Sequence, residues 1–261
     1  MCLAVVALDV HPRYALVVAA NRDEYQARPA APADWWDDGS GGRLLAGRDL
    51  LAGGTWLGIT HRGRWGFVTN VREPDRRDAN APSRGALVPQ VLRSDQPIET
   101  ALADVLAQTA HYNGFNLLGG DLMGAAWGSN RVAGVQILSA GVHGVSNARL
   151  DTPWPKVERT KAGMAAWIAD DGDDILPLFD LLADRARAPD TILPATGVPL
   201  EYERLLSSPF IVSPRYGTRC STVLTITRKS DVRFVERAFD ASGTLAGQVE
   251  HRFVISEGGG P

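Results

Sequence analysis

The chain has 261 residues, 44% hydrophobic and 22% charged, with a formal net charge of −3. This is globular composition, long enough to bury a sizeable core without disulfides or a structural metal. Without a basic field, neither nucleic acid nor an anionic membrane surface is the expected partner. Two cysteines, Cys2 and Cys220, are too few for a secreted disulfide scaffold and point to a reducing, cytoplasmic setting.

Residues 2–8 and 14–20 are short apolar runs at hairpin spacing, with Pro12 at the turn. The second run leads straight into Asn21, Arg22, Asp23 and Glu24. No basic n-region precedes the first run, and no run reaches the roughly 18 apolar residues of a membrane span. Residues 34–42, DWWDDGSGG, read as a loop. Residues 56–60 and 65–69 flank HRGR and predict a second hairpin. The segment REPDRRDANAPSR, residues 72–84, nearly matches its arginines with acids, which favours a solvated loop over an anion-binding patch. Helices are predicted over 85–93 and 97–110, the latter with Asp95 as N-cap. The glycine-rich stretch 115–147 suits a meander of strands. Residues 156–169 and 174–186 read as amphipathic helices, with Pro177 in the first turn of the second. Strands return over 219–227, 232–237 and 248–255. The absence of βαβ alternation argues against a doubly wound parallel sheet. One domain over residues 1–256, with antiparallel sheets covered by helices and a flexible tail at 257–261, fits the order.

Five scattered histidines show no HxxxH or HxH spacing, and there is no CxxC, so neither a metal nor a cofactor is expected. GVSNA resembles a GxSxG elbow only loosely, and no strand-to-helix step follows Ser146. Cys2 is more informative. Removal of Met1 would leave a thiol and a free α-amine on one residue, with reference pKa values of about 8.5 and about 7.7–8.0. Nucleophile and base would then sit together and need no histidine. Taken alone, Cys2 reads better as a small apolar residue opening a buried strand. Asn70, Asn147 and Arg219 each place a strong hydrogen-bonding side chain at the end of an apolar strand. Asparagine amides can supply oxyanion donors, and Asp23 could orient a terminal ammonium. Singly, each also reads as a turn or capping residue.

As a set, MC at the start, NRDE at 21–24, GGTWLG at 53–58, TNVR at 69–72, SNARLDTPWPKV at 146–157, LSSPFI at 206–211 and YGTRCSTVL at 216–224 resemble the NRDE family, also called the transport and Golgi organisation family. The resemblance implies the fold of N-terminal-nucleophile hydrolases: α+β, a four-layer αββα sandwich of two antiparallel sheets between helical layers. A more distant likeness is to choloylglycine hydrolases and penicillin V acylases. It implies Cys2 as nucleophile, Asp23 of an N-x-D pattern holding the α-amine, Asn70 and Asn147 as oxyanion and substrate-positioning amides, and Arg219 supporting the thiolate. The acylase pattern has an arginine immediately before N-x-D, where this chain has Ala20. Arg22 is the candidate substitute, although in a strand it faces away from Asn21 and Asp23. The same alternation predicts that Asn21 and Asp23 face Cys2, with Arg22 and Glu24 opposite.

The expected function is cleavage of a linear amide or related small acyl compound through a Cys2 thioester. Trp35, Trp36 and the 72–84 loop are candidate pocket walls, the tryptophans otherwise being loop anchors on the core. The family's links to trafficking and to lipid or haem handling imply the alternative, a non-catalytic carrier or chaperone with haem or a lipid-like molecule as its partner.

Overall fold

Every residue from Leu16 to Asp23 is buried, so the strand that holds them has no solvent face. A strand covered on both sides belongs inside a layered structure. The computed structural model describes residues 3–37 and 42–256. Its strands are β1 (Leu3–Leu8), β2 (Tyr14–Tyr25), β3 (Ala30–Asp37), β4 (Arg43–Asp49), β5 (Leu57–Thr60), β6 (Trp65–Asn70), β7 (Phe115–Asp121), β8 (Gly124–Ser129), β9 (Val135–Ile137), β10 (Gly141–Val145), β11 (Tyr216–Thr227), β12 (Asp231–Phe239) and β13 (Leu245–Val254). Its helices are α1 (Leu87–Arg93), α2 (Ile98–Leu106), α3 (Pro155–Ala169), α4 (Leu176–Leu182) and α5 (Leu200–Leu205).

One sheet runs β10-β1-β2-β11-β12-β13 and the other β3-β4-β5-β6-β7-β8-β9, all pairs antiparallel. Period-2 alternation divides each strand between two cores. Ala4, Val6, Leu16, Val18 and Ala20 of the first sheet meet Leu45, Trp56, Leu57, Phe67 and Leu118 of the second. Val5, Ala7, Val17 and Ala19 point the other way, under Met164 and Trp167 of α3 and Leu178, Phe179 and Leu182 of α4. On the far side, Leu44, Val68 and Leu117 lie under Val88 and Val91 of α1 and Leu102 and Val105 of α2. The result is the four-layer αββα sandwich.

Several expected boundaries move. The strand expected over 14–20 continues through NRDE to Tyr25, because β11 pairs with it along its whole length. Residues 34–37, expected as loop, belong to β3; they pair with β4, itself not anticipated. Composition misled here, since Trp35 stacks on His61 at 3.7 Å and packs against the inter-sheet core. Asp95 does not cap α2, whose N-cap is Pro97; it pairs instead with Arg62 at 2.5 Å. The helix expected over 174–186 is confined to Leu176–Leu182, with Pro177 in its first turn. The tail expected at 257–261 lies outside the described residues.

The GGTWLG turn shows a close approach that only glycine allows. Gly54 lies against the backbone of Gly85, and the next N–H, of Thr55, donates to the Gly85 carbonyl at 3.1 Å. A Cβ on Gly54 would run into that backbone, whereas one on Gly247 would meet nothing within 4 Å. Gly54→Ala should therefore cost about 1–3 kcal/mol in urea unfolding, with Gly247→Ala near neutral.

Candidate functional site

The centre of the first sheet places the NRDE residues. Leu3 of β1 lies opposite Asn21. On the other side of β2, Thr218 lies opposite Asp23 and Cys220 opposite Arg22, with Arg219 bulged out of register between them. Asn21 and Asp23 share the outward parity of Val17 and Ala19, and Arg22 the inward parity of Leu16, Val18 and Ala20. Asn21 and Asp23 thus share one face of β2 and Arg22 the other. Cys2 lies outside the described residues, and with it the expectation that the first pair faces it.

Buried polar groups require partners, and these have them. Asn21 donates through Nδ2 to the carbonyls of Leu182 (2.8 Å) and Pro209 (2.9 Å), and accepts from the Ser221 hydroxyl at 2.6 Å. That makes Asn21 a tie between β2, β11 and the end of α4. The Thr218 hydroxyl donates to Asp23 Oδ1 at 2.6 Å. Arg219 donates to the side chain and carbonyl of Gln26, just beyond the end of β2.

Arg22 enters the space between the sheets. Its guanidinium lies 4.3 Å from the Trp56 ring centroid and 3.7 Å from Asp49 Oδ2. Asp49 is engaged more closely elsewhere, by Arg28 Nε at 2.6 Å and the N–H groups of Leu51 and Ala52 at 3.0 Å. Near Arg22 lies Glu236, which accepts from the Ala33 N–H at 2.8 Å and the Thr222 hydroxyl at 3.3 Å. Burial raises the Glu236 carboxyl above its ordinary range, against those donors and Arg22. Burial also pushes the Cys220 thiol well up, so it stays protonated and is a poor nucleophile.

A cavity of about 310 Å³ opens beside Arg22 and Trp56, with Asn70 on its wall and the 77–85 stretch opposite. Four arginines and three carboxylates line it. The 72–84 segment is therefore more than a solvated loop. Trp35 and Trp36 are not part of this wall; Trp36 packs over the α1–α2 core and donates to the Ala46 carbonyl at 2.9 Å.

Asn70 and Asn147 meet: Asn147 Nδ2 donates to the Asn70 carbonyl at 2.9 Å, and the Arg72 N–H donates to the Asn147 carbonyl at 2.8 Å. The end of β6 is thereby tied to the turn after β10. Arg72 anchors the junction. It pairs with Glu203 of α5 at 2.6 Å, with side chains 10% and 4% exposed, and lies over the Trp154 ring at 4.8 Å. The other Glu203 oxygen accepts from the N–H and hydroxyl of Thr196. Asp151, at a φ of 54°, accepts from the Gly144 N–H, Lys161 and His143, holding the turn that carries Asn147. Arg72 and Glu203 were hidden in sequence because charge counting cannot separate a buried pair from a solvated one; the only pointer was TNVR as a motif. Lys156, fully buried in the first turn of α3, was likewise unmarked. Among the described residues no group of His, Cys, Asp and Glu forms that could hold a metal ion, and no helix is long and apolar enough to cross a membrane.

The model of the family described as Transport and Golgi organisation 2 matches residues 1–241. The chain belongs to this family. It is 36% identical to the Transport and Golgi organization protein 2 homolog of Bos taurus and 34% identical to the Mus musculus homolog, each over 91% of this chain and 93% of the relative. Among solved structures it is similar to a mutant conjugated bile acid hydrolase from Clostridium perfringens, with a TM-score of 0.54 at 9% identity, covering 98% of this chain and 92% of that one. It is also similar to a Caenorhabditis elegans N-acylethanolamine-hydrolyzing acid amidase ortholog, with a TM-score of 0.50 at 12% identity, covering 85% and 92%. At such identity the likeness is one of fold. The chain thus has the four-layer fold of N-terminal-nucleophile hydrolases.

Two measurements check the electrostatics. Glu203→Ala strands the Arg72 charge and should cost about 3–5 kcal/mol in chemical denaturation. Glu236 has a carboxyl raised on folding. Its contribution is fullest below the unfolded value of about 4.3 and is lost as pH rises through the folded one. Glu236→Gln should therefore gain stability over the parent from pH 4 to pH 8, read by urea unfolding at each pH.

Proposed function

We propose that the chain is a cysteine N-terminal-nucleophile hydrolase that cleaves a linear amide or related small acyl compound through a thioester on Cys2. The observation that carries this reading is the β1–β2 register. Leu3, which follows Cys2 directly in the chain, lies opposite Asn21 at the start of Asn21-Arg22-Asp23. Two solved neighbours of the same fold are by name a conjugated bile acid hydrolase and an acid amidase.

In this reading Met1 is removed and the α-amine of Cys2 takes the thiol proton. The sulfur attacks the carbonyl carbon, the C–N bond breaks, and the ammonium returns its proton to the leaving amine. Water then gives a proton to the α-amine, its oxygen adds to the thioester, and the C–S bond breaks. Asp23 holds the ammonium form. Asn70 and Asn147, with nearby backbone N–H groups, serve the oxyanion; the bond from Asn147 to the Asn70 carbonyl fixes their spacing. Arg22 and Arg219, on β2 and β11, supply positive potential for the thiolate. Arg22 stands two residues along the same face from Ala20, so it can return the cation that the acylase pattern has at that position. A cytoplasmic setting keeps the thiol reduced. The carrier reading, with haem or a lipid-like ligand, calls for an apolar cavity. The one beside Arg22 is lined mainly by charged and polar side chains, which supports a polar substrate instead.

Intact-mass measurement with a mild thiol-reactive acyl probe tests the mechanism. The expected result is a chain lacking Met1 that gains one acyl group, lost in Cys2→Ala, with Asp23→Asn slowing turnover by about 10²-fold or more. Retained Met1, or a Cys2 no more reactive than an ordinary thiol, sinks it.

A further inference from the structure

The arrangement around Arg22 goes beyond what amide hydrolysis alone requires. The side chain is only 4% exposed, yet it lines the cavity. Among the described residues its partners are Asp49 at 3.7 Å and the Trp56 ring, and neither supplies a hydrogen bond at normal length. Asp49 stands off from Arg22, its Oδ2 bonded to Arg28 and its Oδ1 to two backbone N–H groups. Glu236 has both oxygens occupied, and burial favours its neutral form. A guanidinium so placed can turn N–H donors to the cavity, and its planar edge matches a carboxylate.

We propose that the substrate carries a carboxylate, and that Arg22 holds it by a two-point hydrogen-bonded contact in the cavity beside Trp56. Asn70 on the same wall offers an amide donor, and Arg84 on the facing loop adds positive potential. At about 310 Å³ the cavity lies at the small end of ligand sites, which suits a short-chain acid rather than a large conjugate. What becomes of the scissile bond rests on the hydrolase reading above; recognition of the carboxylate does not.

The test therefore has a binding arm and a turnover arm. In Cys2→Ala, titration calorimetry should show saturable binding of glutarate and none of glutaramide. Adding Arg22→Gln should weaken glutarate binding about 10- to 100-fold, the value of a charge-assisted hydrogen bond. Arg22→Lys, which keeps the charge but loses the fork, should fall between the two, with a retained cooperative thermal transition reporting an intact fold. With Cys2 present, glutaryl anilide should exceed butyryl anilide in kcat/KM by a similar factor, and Arg22→Gln should collapse that ratio toward one whatever it does to both rates. Glutarate that fails to bind, binds equally to the Arg22→Gln variant, or is outcompeted by inorganic phosphate overturns the proposal. Glutarate binding without cleavage of either anilide supports the recognition site while removing the hydrolase reading. Equal cleavage of both anilides supports the hydrolase and removes the carboxylate.

Discussion

A strand covered on both faces can carry polar side chains only where each finds a partner, since an unmet buried group costs more than its bond returns. That constraint governs β2 from Asn21 to Asp23, and much of the surrounding structure answers to it. Ser221, Leu182 and Pro209 are engaged by Asn21, and Thr218 by Asp23. These partners come from β11 and from the segments around α4 and α5, far along the chain. The NRDE sequence thus specifies tertiary neighbours as well as a strand, and the bulge at Arg219 lets β11 meet Asp23 and Arg22 in adjacent but shifted registers.

The second sheet is brought to the same end of the sandwich by a different device. β6 and β10 belong to different sheets, and their ends are joined by two hydrogen bonds, Asn147 to the Asn70 carbonyl and Arg72 to the Asn147 carbonyl. Arg72 is then clamped between Glu203 and Trp154. A buried ion pair is a weak source of net stability but a strong penalty when half is removed. Its effect here is to restrict geometry: Arg72, whose N–H holds the Asn147 carbonyl, cannot leave Glu203 without stranding a charge.

Alternation and hairpin spacing made the antiparallel strands legible because they are local; the four-layer arrangement came from the family resemblance. The central hairpin, the glycine-rich meander and the late strands all emerged from the local pattern. The β3–β4 hairpin did not, because DWWDDGSGG has loop composition and its tryptophans are held by distant contacts such as Trp35 on His61. The candidate residues came from motifs, and the structure groups the described ones at one end of the sheets. Their electrostatic context was not readable. Nothing local distinguishes Arg72, buried against Glu203, from the exposed arginines a few residues later, and nothing marks Glu236 as a carboxyl facing the space that Arg22 enters.

The exchange of an arginine position for Ala20 illustrates how period 2 constrains a site. Moving a cation by one residue would send it through the sheet to the helical layer, beneath α4, where Asn21 already binds carbonyls. Moving it by two keeps it between the sheets but carries it toward Trp56 and the cavity. Ala20, small and buried, then fills the vacated place as part of the inter-sheet core. In the proposed site, the shift is also what lets Arg22 meet a ligand. From two residues further along, its guanidinium lies over an indole, with the Asp49 carboxylate standing off at 3.7 Å. Stacking covers the face of the group but leaves its in-plane N–H donors to whatever enters.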